Sequence, residues 1–552
     1  MARERLKIIP LGGLGEIGKN MLVMEYDNDI LVIDAGLMFP EEEMLGVDLV
    51  IPDITYLLEN RDKVRGIVVT HGHEDHVGAL PYVLSRLEVP VYATRLTHGL
   101  ISVKLKEHKL LQKAQLNIVQ AGDEVVLGRF RVSFYHVSHS IPDAVGLAIQ
   151  TPVGTVVHSG DFKLDHTPVD GQPTDFAKLA RLGAGGVLLL FSDSTYVEEA
   201  GYTPSERLVG EYIERTMSQA SGRVIVATFA SLISRIQQVI DAAEKHNRRV
   251  FVVGRSMSDN VQMARELGYL NVAPEVLGRI DELRKLPPDR VAIILTGTQG
   301  EPTSALVRMS NRDHPHLRVL PGDVIIVSAT PIPGNEAVIS RTIDNLFRQG
   351  AQVLYGRVAT VHVHGHGSQE ELKMVLNLVK PRFFVPVHGE YRHLVLHGKL
   401  AELVGMARSN IFVLEDGDVL ELGARSGKVV GRVSSNSVYV DGLGVGDIGS
   451  VVLRDRRLLS RDGFLVVIIA VDKKLGTIMG RPDVVSRGFV DPKEEEGLLE
   501  ECRDLVVKAL DRGGEHLAEP SFVNTKVKDT LSKFLYSQTK RRPMILPVVT
   551  EV

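Results

Sequence analysis

The sequence has no tryptophan and a single cysteine, Cys502, and aromatic residues make up only 5% of its 552 positions. One thiol can form neither an internal disulfide nor a thiolate cluster, so a stapled scaffold is excluded, and any zinc must rest on imidazole and carboxylate. Long apolar runs are missing too. The longest, Phe464 to Val471, falls far short of the roughly 20 residues that cross a bilayer. The start of the chain lacks the apolar stretch of a leader, since Ile8-Ile9 runs at once into Pro10 and a glycine turn, and the expectation is a cytoplasmic protein with no membrane span. Excess positive charge is also absent: 64 Lys+Arg against 69 Asp+Glu give a net charge of -5. A nucleic acid would have to be held by locally arranged charge or bound metal, because there is no polycationic body. What is present, 44% hydrophobic and 24% charged residues, is the make-up of a folded globular protein and excludes global disorder. The length argues for about three or four structural units.

The first part reads as short β-rich runs between turns: Ile30 to Ile33, Gly66 to Val69, Arg131 to Tyr135 and Thr155 to His158. Around residue 205 the rhythm becomes strand, polar turn, helix. Val224 to Ala227 precedes a helix over Leu232 to Lys245, and Val250 to Val253 precedes one over Met257 to Leu267. Val291 to Leu295 and Val324 to Val327 repeat the alternation, which predicts parallel strands joined by helical crossovers. After Val361 strands and histidine-rich loops return, and Phe383 to Val387 enters His388, so an inserted domain is the economical explanation. The expected boundaries are 1–205 and 356–442 for the two parts of the first domain and 206–355 for the insertion. A linker over 443–455 then leads to a small α/β unit over 456–552. Glycines between Gly442 and Gly449 predict a hinge. In the last unit Phe464 to Val471 reads as a strand, and Glu494 to Leu510 and Val523 to Leu535 as helices. Cys502 falls on the Leu498, Leu499, Leu505 stripe as a buried structural thiol.

The motif with most chemistry is His71-Gly-His73-Glu-Asp75-His76, placed where an apolar strand gives way to a helical pattern. A solvated polar turn is the bland alternative, but three histidines and an aspartate within six positions argue for a metal centre. His139, Asp161 and His388 follow at later strand ends; each alone would read as a hydrogen-bonded turn residue. Together they complete a binuclear site: His71, His73 and His139 for one cation, Asp75, His76 and His388 for the other, and Asp161 as the bridge. Two cations about 3.5 to 4 Å apart activate a shared water and hold a phosphoryl oxygen, so the expected chemistry is hydrolysis and not hydride transfer. The strand-end loops of the insertion, Thr228 to Ser231, Gly254 to Met257, Thr296 to Glu301 and Ser328 to Gly334, are rich in glycine and hydroxyls. At the carboxyl edge of a parallel sheet such loops suit phosphate.

The His71 to His76 motif, joined in order by His139, Asp161 and His388, resembles the metallo-β-lactamase fold. The insertion's loops, with Phe191 to Thr195 and His362 to His366, resemble the β-CASP nucleases of the ribonuclease J family. The likeness runs from Ile9 through Asn20 to the basic Thr539 to Pro547 and covers essentially the whole chain. It implies a metallo-β-lactamase αββα sandwich with an inserted parallel-sheet β-CASP domain and a small α/β C-terminal domain used in homodimer or homotetramer assembly. It implies two Zn2+ per subunit, with Mn2+ compatible with the same donors, and a structural Ca2+ for which Asp48 and Asp441 are the candidates. The implied activity is bacterial RNA processing and decay by 5′-to-3′ exonuclease action on single-stranded, 5′-monophosphorylated RNA, with endonucleolytic cuts as a second mode.

Carried over residue by residue, Asp34 supports a ligand from behind, Asp75 and Asp193 orient or deprotonate the nucleophile, and His366 stabilises or protonates the leaving group. Ser231, Arg255, Ser256, Ser328, His362, Val363, His364, Gly365, His366 and Ser368 are the RNA-contacting candidates. The chain departs from the family pattern at His364, where serine is usual, near Tyr196, where asparagine is usual, and over Ser231 to Arg235. Two competitors share parts of this pattern. A thioester or lactam metallohydrolase would need the metal motif but not the large insertion, and a noncatalytic RNA scaffold would need no complete ligand set.

Overall fold

The computed structural model describes residues 5–41, 43–301, 303–331, 335–472, 477–490, 495–511 and 519–551. Residues 332–334 of the Ser328 loop and Glu494 lie outside them. The chain divides into two compact units, 1–39 with 49–438 and 40–48 with 439–552.

The larger unit contains two sheets packed face to face. One has eight strands in the order Gly427–Arg432, Asp418–Leu422, Leu6–Gly12, Met21–Tyr26, Asp29–Ile33, Val64–Val68, Val91–Thr94 and Leu116–Val119. The other has six, Phe383–Val387, Leu189–Asp193, Gly154–His158, Val145–Thr151, Phe130–His136 and Glu124–Leu127. Side chains alternate across each strand, and that period of two decides the layers. Val156, Leu189, Phe191, Phe383 and Val385 face the first sheet's Ile8, Met24, Leu31 and Val68. Val157, Leu190 and Phe384 face outward onto Leu372, Val375 and Leu376 of the helix Gln369–Val379. This is the αββα sandwich of the metallo-β-lactamase fold.

The insertion is an all-parallel sheet ordered Arg249–Val253, Val291–Leu295, Val224–Ala227, Val324–Val327 and Gln352–Leu354. Its strands are apolar throughout because both faces are covered. Val224, Val226, Ile294 and Ile326 pack on one side with Ile236 and Val239 of the helix Ile233–Lys245, and Ile225, Ile293 and Ile325 pack on the other with Leu346 of the helix Glu336–Arg348.

In the smaller unit the strand Phe464–Asp472 pairs antiparallel with Asp483–Arg487 and parallel with Met544–Glu551. One face of this sheet is closed by the helices Glu495–Leu510 and Pro520–Thr539, through Cys502, Val506, Val527 and Leu531. Burial pushes the Cys502 thiol up to about 12, so it is inert packing. The stretch 443–455, expected as a linker, carries the strand Gly444–Val445 and the first part of a helix, Ser450–Asp462. Residues 40–48 belong with this unit: Arg456 donates to the Leu45 carbonyl (2.9 Å) and Arg457 to that of Glu43 (3.1 Å). A linker was expected because glycines punctuate the segment; its second half is the start of the helix that carries Arg456 and Arg457.

Candidate metal centre

Parallel strands deliver the chemistry to one edge. Val64–Val68 runs parallel to Asp29–Ile33, so Asp34 emerges beside the Thr70 to His76 segment. In the facing sheet Gly154–His158, Leu189–Asp193 and Phe383–Val387 are parallel neighbours, and Asp161, Asp193 and His388 stand at their carboxyl ends. Phe130–His136 lies two antiparallel steps away from Gly154–His158, so His139 leaves the sheet at the same edge.

All seven residues expected as ligands are brought together. His71 Nε2 lies 3.0 Å from His73 Nδ1, and His139 Nε2 lies 3.1 Å from that same atom. Asp75, His76, Asp161 and His388 form a second group of converging donors. Asp161 spans both: its Oδ2 is 3.2 Å from His76 Nε2, 3.4 Å from His388 Nε2, 3.7 Å from His71 Nε2 and 3.9 Å from His139 Nε2.

The far nitrogens show what the near ones are for. His76 Nδ1 meets Asp34 Oδ2 at 2.8 Å and His139 Nδ1 meets the Gly365 carbonyl at 2.7 Å. His388 Nδ1 and His71 Nδ1 meet the hydroxyls of Thr195 (2.6 Å) and Thr70 (3.1 Å). An imidazole that donates outward through one nitrogen turns a lone pair inward through the other, and such lone pairs about 3 Å apart are stable only around a cation. The residues therefore fit a pair of divalent metals. Burial and the neighbouring imidazoles hold His71 and His139 well below the ordinary histidine range, and burial brings His73 to about 4, so all three offer neutral nitrogen. Burial also opposes charge on His76, yet Asp161, Asp75 and Asp34 hold it well above that range, a carboxylate surplus that a cation would balance directly.

Two non-glycine residues of the centre adopt left-handed backbone, Asp34 (φ 61°) and His388 (φ 58°). Asp34 also accepts from the Thr70 backbone N–H (2.8 Å) and hydroxyl (2.9 Å), so one carboxylate fixes both the strand end and the His76 ring.

Asp193 faces His366 and Thr195. Its Oδ2 accepts from His366 Nδ1 (2.7 Å), and its Oδ1 accepts from the Thr195 N–H (3.0 Å) and hydroxyl (2.7 Å). Both oxygens are engaged, and one of them orients His366. The two residues also lie close enough to Asp161 and His388 to form a third group of donors.

The RNA-contacting candidates divide. Gly365 reaches the centre, and only glycine fits there, because a Cβ would lie 2.6 Å from the His139 ring. His364 stacks on Tyr196 with ring centroids 3.6 Å apart and gives Nδ1–H to the His366 carbonyl (2.9 Å). Burial, with the neighbouring His366, brings it to about 4. Its remaining nitrogen is thus an acceptor, unsuited to phosphate oxygen. Ser328 is fully buried: its hydroxyl donates to the Val361 carbonyl (2.6 Å) and accepts from Arg235 (2.5 Å), so it has no donor left for RNA. Ser368 caps the helix Gln369–Val379 and bonds the Thr203 hydroxyl (2.9 Å). Val363 packs into the insertion's core. His362 is half-buried beside these groups, with an Nδ1 that has no hydrogen-bond partner among the described residues. Arg255 and Ser256 open the helix Arg255–Glu266 with exposed side chains, and Ser231 sits in the turn before Ile233–Lys245.

The calcium candidates both lie in the smaller unit. Asp441 is ion-paired with Arg456 (2.6 Å), and Asp48 accepts from the Gly442 N–H (2.7 Å). A guanidinium already neutralises the carboxylate a calcium would need, and among the described residues neither aspartate joins a cluster of three donors.

Sequence reasoning missed Thr70, Thr195 and Asn20; the Asn20 amide lies 3.1 Å from both His76 Nε2 and the Asp75 carbonyl. The aspartate-x-threonine spacing of Asp193 and Thr195 was a usable signal, since it makes the hydroxyl fold back on the carboxylate.

The fold and the converging donors define a metallohydrolase of the metallo-β-lactamase superfamily with an inserted β-CASP domain. Family models match accordingly: the metallo-beta-lactamase superfamily over residues 14–196 and the ribonuclease J beta-CASP domain over 221–346. The Zn-dependent metallo-hydrolase RNA specificity domain matches over 352–413 and the ribonuclease J C-terminal domain over 451–552. The chain is 46% identical to ribonuclease J2 of Bacillus subtilis, covering 100% of this chain and 99% of that one. It is 46% identical to ribonuclease J of Thermus thermophilus, covering 100% and 96%. It is 42% identical to ribonuclease J 1 of Streptococcus pyogenes, covering 98% and 97%. The chain belongs to the ribonuclease J family. A solved structure of a protein of unknown function from Enterococcus faecalis shares the fold, with TM-score 0.53 at 16% identity over 76% of this chain and 100% of that one.

Proposed function

We propose that the chain is a hydrolytic ribonuclease that cuts RNA phosphodiesters between phosphorus and the 3′ oxygen and leaves a 5′ phosphate on the downstream product. The observation that carries this is Asp161 Oδ2, within 3.9 Å of inward-facing nitrogens from both donor groups. Two divalent cations held there would acidify a shared water and neutralise the phosphoryl oxygens. Zn2+ is the cation we assign, on the ground that imidazole supplies most of the donors.

The chain's own groups divide the remaining work. The Asp75 side chain is 29% exposed against 4% for Asp161, so Asp75 is the carboxylate that meets solvent and takes the proton of the attacking water. As the new bond from water oxygen to phosphorus forms, the bond to O3′ breaks and its electron pair stays on O3′. The His366 proton then goes to that oxygen. Burial works against charge on His366, but the adjoining Asp193 carboxylate raises its pKa above the ordinary value and keeps it able to donate.

The same reading includes 5′-to-3′ exonucleolytic action with endonucleolytic cuts, a preference for 5′-monophosphorylated single strands, and a cytoplasmic setting. Among the described residues no helix is long and apolar enough to cross a membrane. Assembly as a homodimer or homotetramer through the C-terminal unit also belongs to it. Its support is the apolar Ile468, Leu546 and Val548, exposed on two paired strands of that unit's sheet. The test is cleavage of one end-labelled RNA carrying a 5′ monophosphate, triphosphate or hydroxyl, with His76→Ala alongside. Fastest turnover of the monophosphate, 5′-phosphate products and a silent variant are expected. Products ending in a 5′ hydroxyl would overturn the chemistry.

A further inference from the structure

His366 is held through its Nδ1 by Asp193, and one hydrogen bond leaves a ring free to swing about the line joining the two atoms. The rings of His139 and His388, 5.1 and 5.3 Å away among the metal donors, bound it on one side, and a circuit through Tyr196 and His364 adds further restraint. The Tyr196 ring lies nearly parallel to the His366 ring, with centroids 5.7 Å apart and planes 17° apart. Tyr196 is in turn face to face with His364 at 3.6 Å and 8°. His364 closes the circuit by giving its Nδ1–H to the His366 carbonyl (2.9 Å), which also accepts from the Thr203 hydroxyl (2.8 Å). The turn that carries Tyr196 also supplies Asp193 to His366 and Thr195 to His388. Asp193, Thr195 and Tyr196 thus each address an imidazole of the centre from one turn, while Ser194 between them bonds His397.

We infer that Tyr196 and His364 are a positioning pair: their stacked rings hold the His366 imidazole at the angle from which Nε2 delivers its proton to the departing O3′. Neither ring touches the reacting atoms, and neither supplies the proton. The inference rests on the proposed role of His366, and its test separates the two.

The probe is a pair of substrates, a short RNA and uridine 5′-(p-nitrophenyl phosphate). Both break a bond from phosphorus to oxygen, but p-nitrophenolate leaves as a stable anion and needs no proton, whereas O3′ does. General-acid assistance is worth about 100-fold or more, so His366→Ala should lower kcat on RNA by that order and lose far less on the aryl ester. Tyr196→Ala and His364→Ala should show the same asymmetry at roughly 10-fold, with KM for RNA little changed, and Tyr196→Phe, which keeps the ring, should restore RNA turnover. An equal loss on both substrates for Tyr196→Ala, or a Tyr196→Phe variant as impaired as Tyr196→Ala, would overturn the positioning pair while leaving His366 in place. An equal loss on both for His366→Ala itself would overturn the acid role and the inference together.

Discussion

At the scale of single residues the centre depends on groups that never meet a metal. Asp34 sits in left-handed backbone and spends its carboxylate on Thr70 and on the outward nitrogen of His76. Asparagine tolerates that backbone as well, but it turns an N–H toward His76 and shifts the proton to the inward nitrogen. Asp34→Asn should therefore fold normally and bind Zn2+ about 10- to 100-fold more weakly in a competition titration; unchanged affinity would show that the tautomer is set elsewhere. A second residue ties stability to pH. Burial and the Glu16 carboxylate, opposed by Lys19, raise Asp416 from 3.8 to about 8. The folded protein thus keeps a proton there that the unfolded chain has given up, so the stabilisation is complete in acid and is lost as pH climbs through about 8. Asp416→Asn removes this titration and still accepts from the Leu14 N–H. The difference in Tm between variant and wild type should grow in the variant's favour from roughly pH 5 to pH 9, and a difference that stays constant would contradict the assignment.

Among elements, a buried ion pair fastens the start of the insertion to the helix Ile233–Lys245. Arg235, on Ile233–Lys245, is fully buried; its Nε meets Glu206 Oε1 (2.5 Å), and its Nη1 meets the Ser328 hydroxyl and carbonyl. These contacts join the chain entering the insertion, a helix, and the end of a central strand. Glu206→Ala strands a guanidinium away from water and should cost about 3 to 5 kcal/mol by denaturant titration. Adding Arg235→Met should recover part of that loss, because the orphaned charge is then gone. Additive losses in the double variant would mean the two groups do not act as a pair. The same network shows what the sequence could and could not convey. The metal motif was legible because three imidazoles and a carboxylate at one strand end have no packing use, and the insertion because its strands are apolar on both faces and alternate with helices. The hydroxyls were not legible. Ser328 and Ser368 look like phosphate donors until their distant partners are known, and those partners, Arg235 and Thr203, stand 93 and 165 positions away. Charge proximity hid likewise at Asp441, whose partner Arg456 lies outside any metal-site pattern.

The whole molecule is two units with separate cores, and all seven metal donors belong to the larger one. A ligand stabilises only the cooperative unit that contains its site, by an amount set by its free concentration relative to its dissociation constant, about 4 kcal/mol at a thousandfold excess. Cation removal should therefore act unequally on the two units. Without it, the inward nitrogens of His71, His73 and His139 face one another at 3.0 and 3.1 Å with nothing to offset their lone-pair repulsion. The sheet formed by Phe464–Asp472 and its neighbours has no such liability. Scanning calorimetry of the intact chain should resolve two transitions. Chelation should lower only the one that carries the larger enthalpy, since enthalpy of unfolding scales with the number of residues in the unit. Return of Zn2+ should restore that transition and leave the smaller unchanged. If both move together, the units unfold as one and the metal stabilises the chain as a whole.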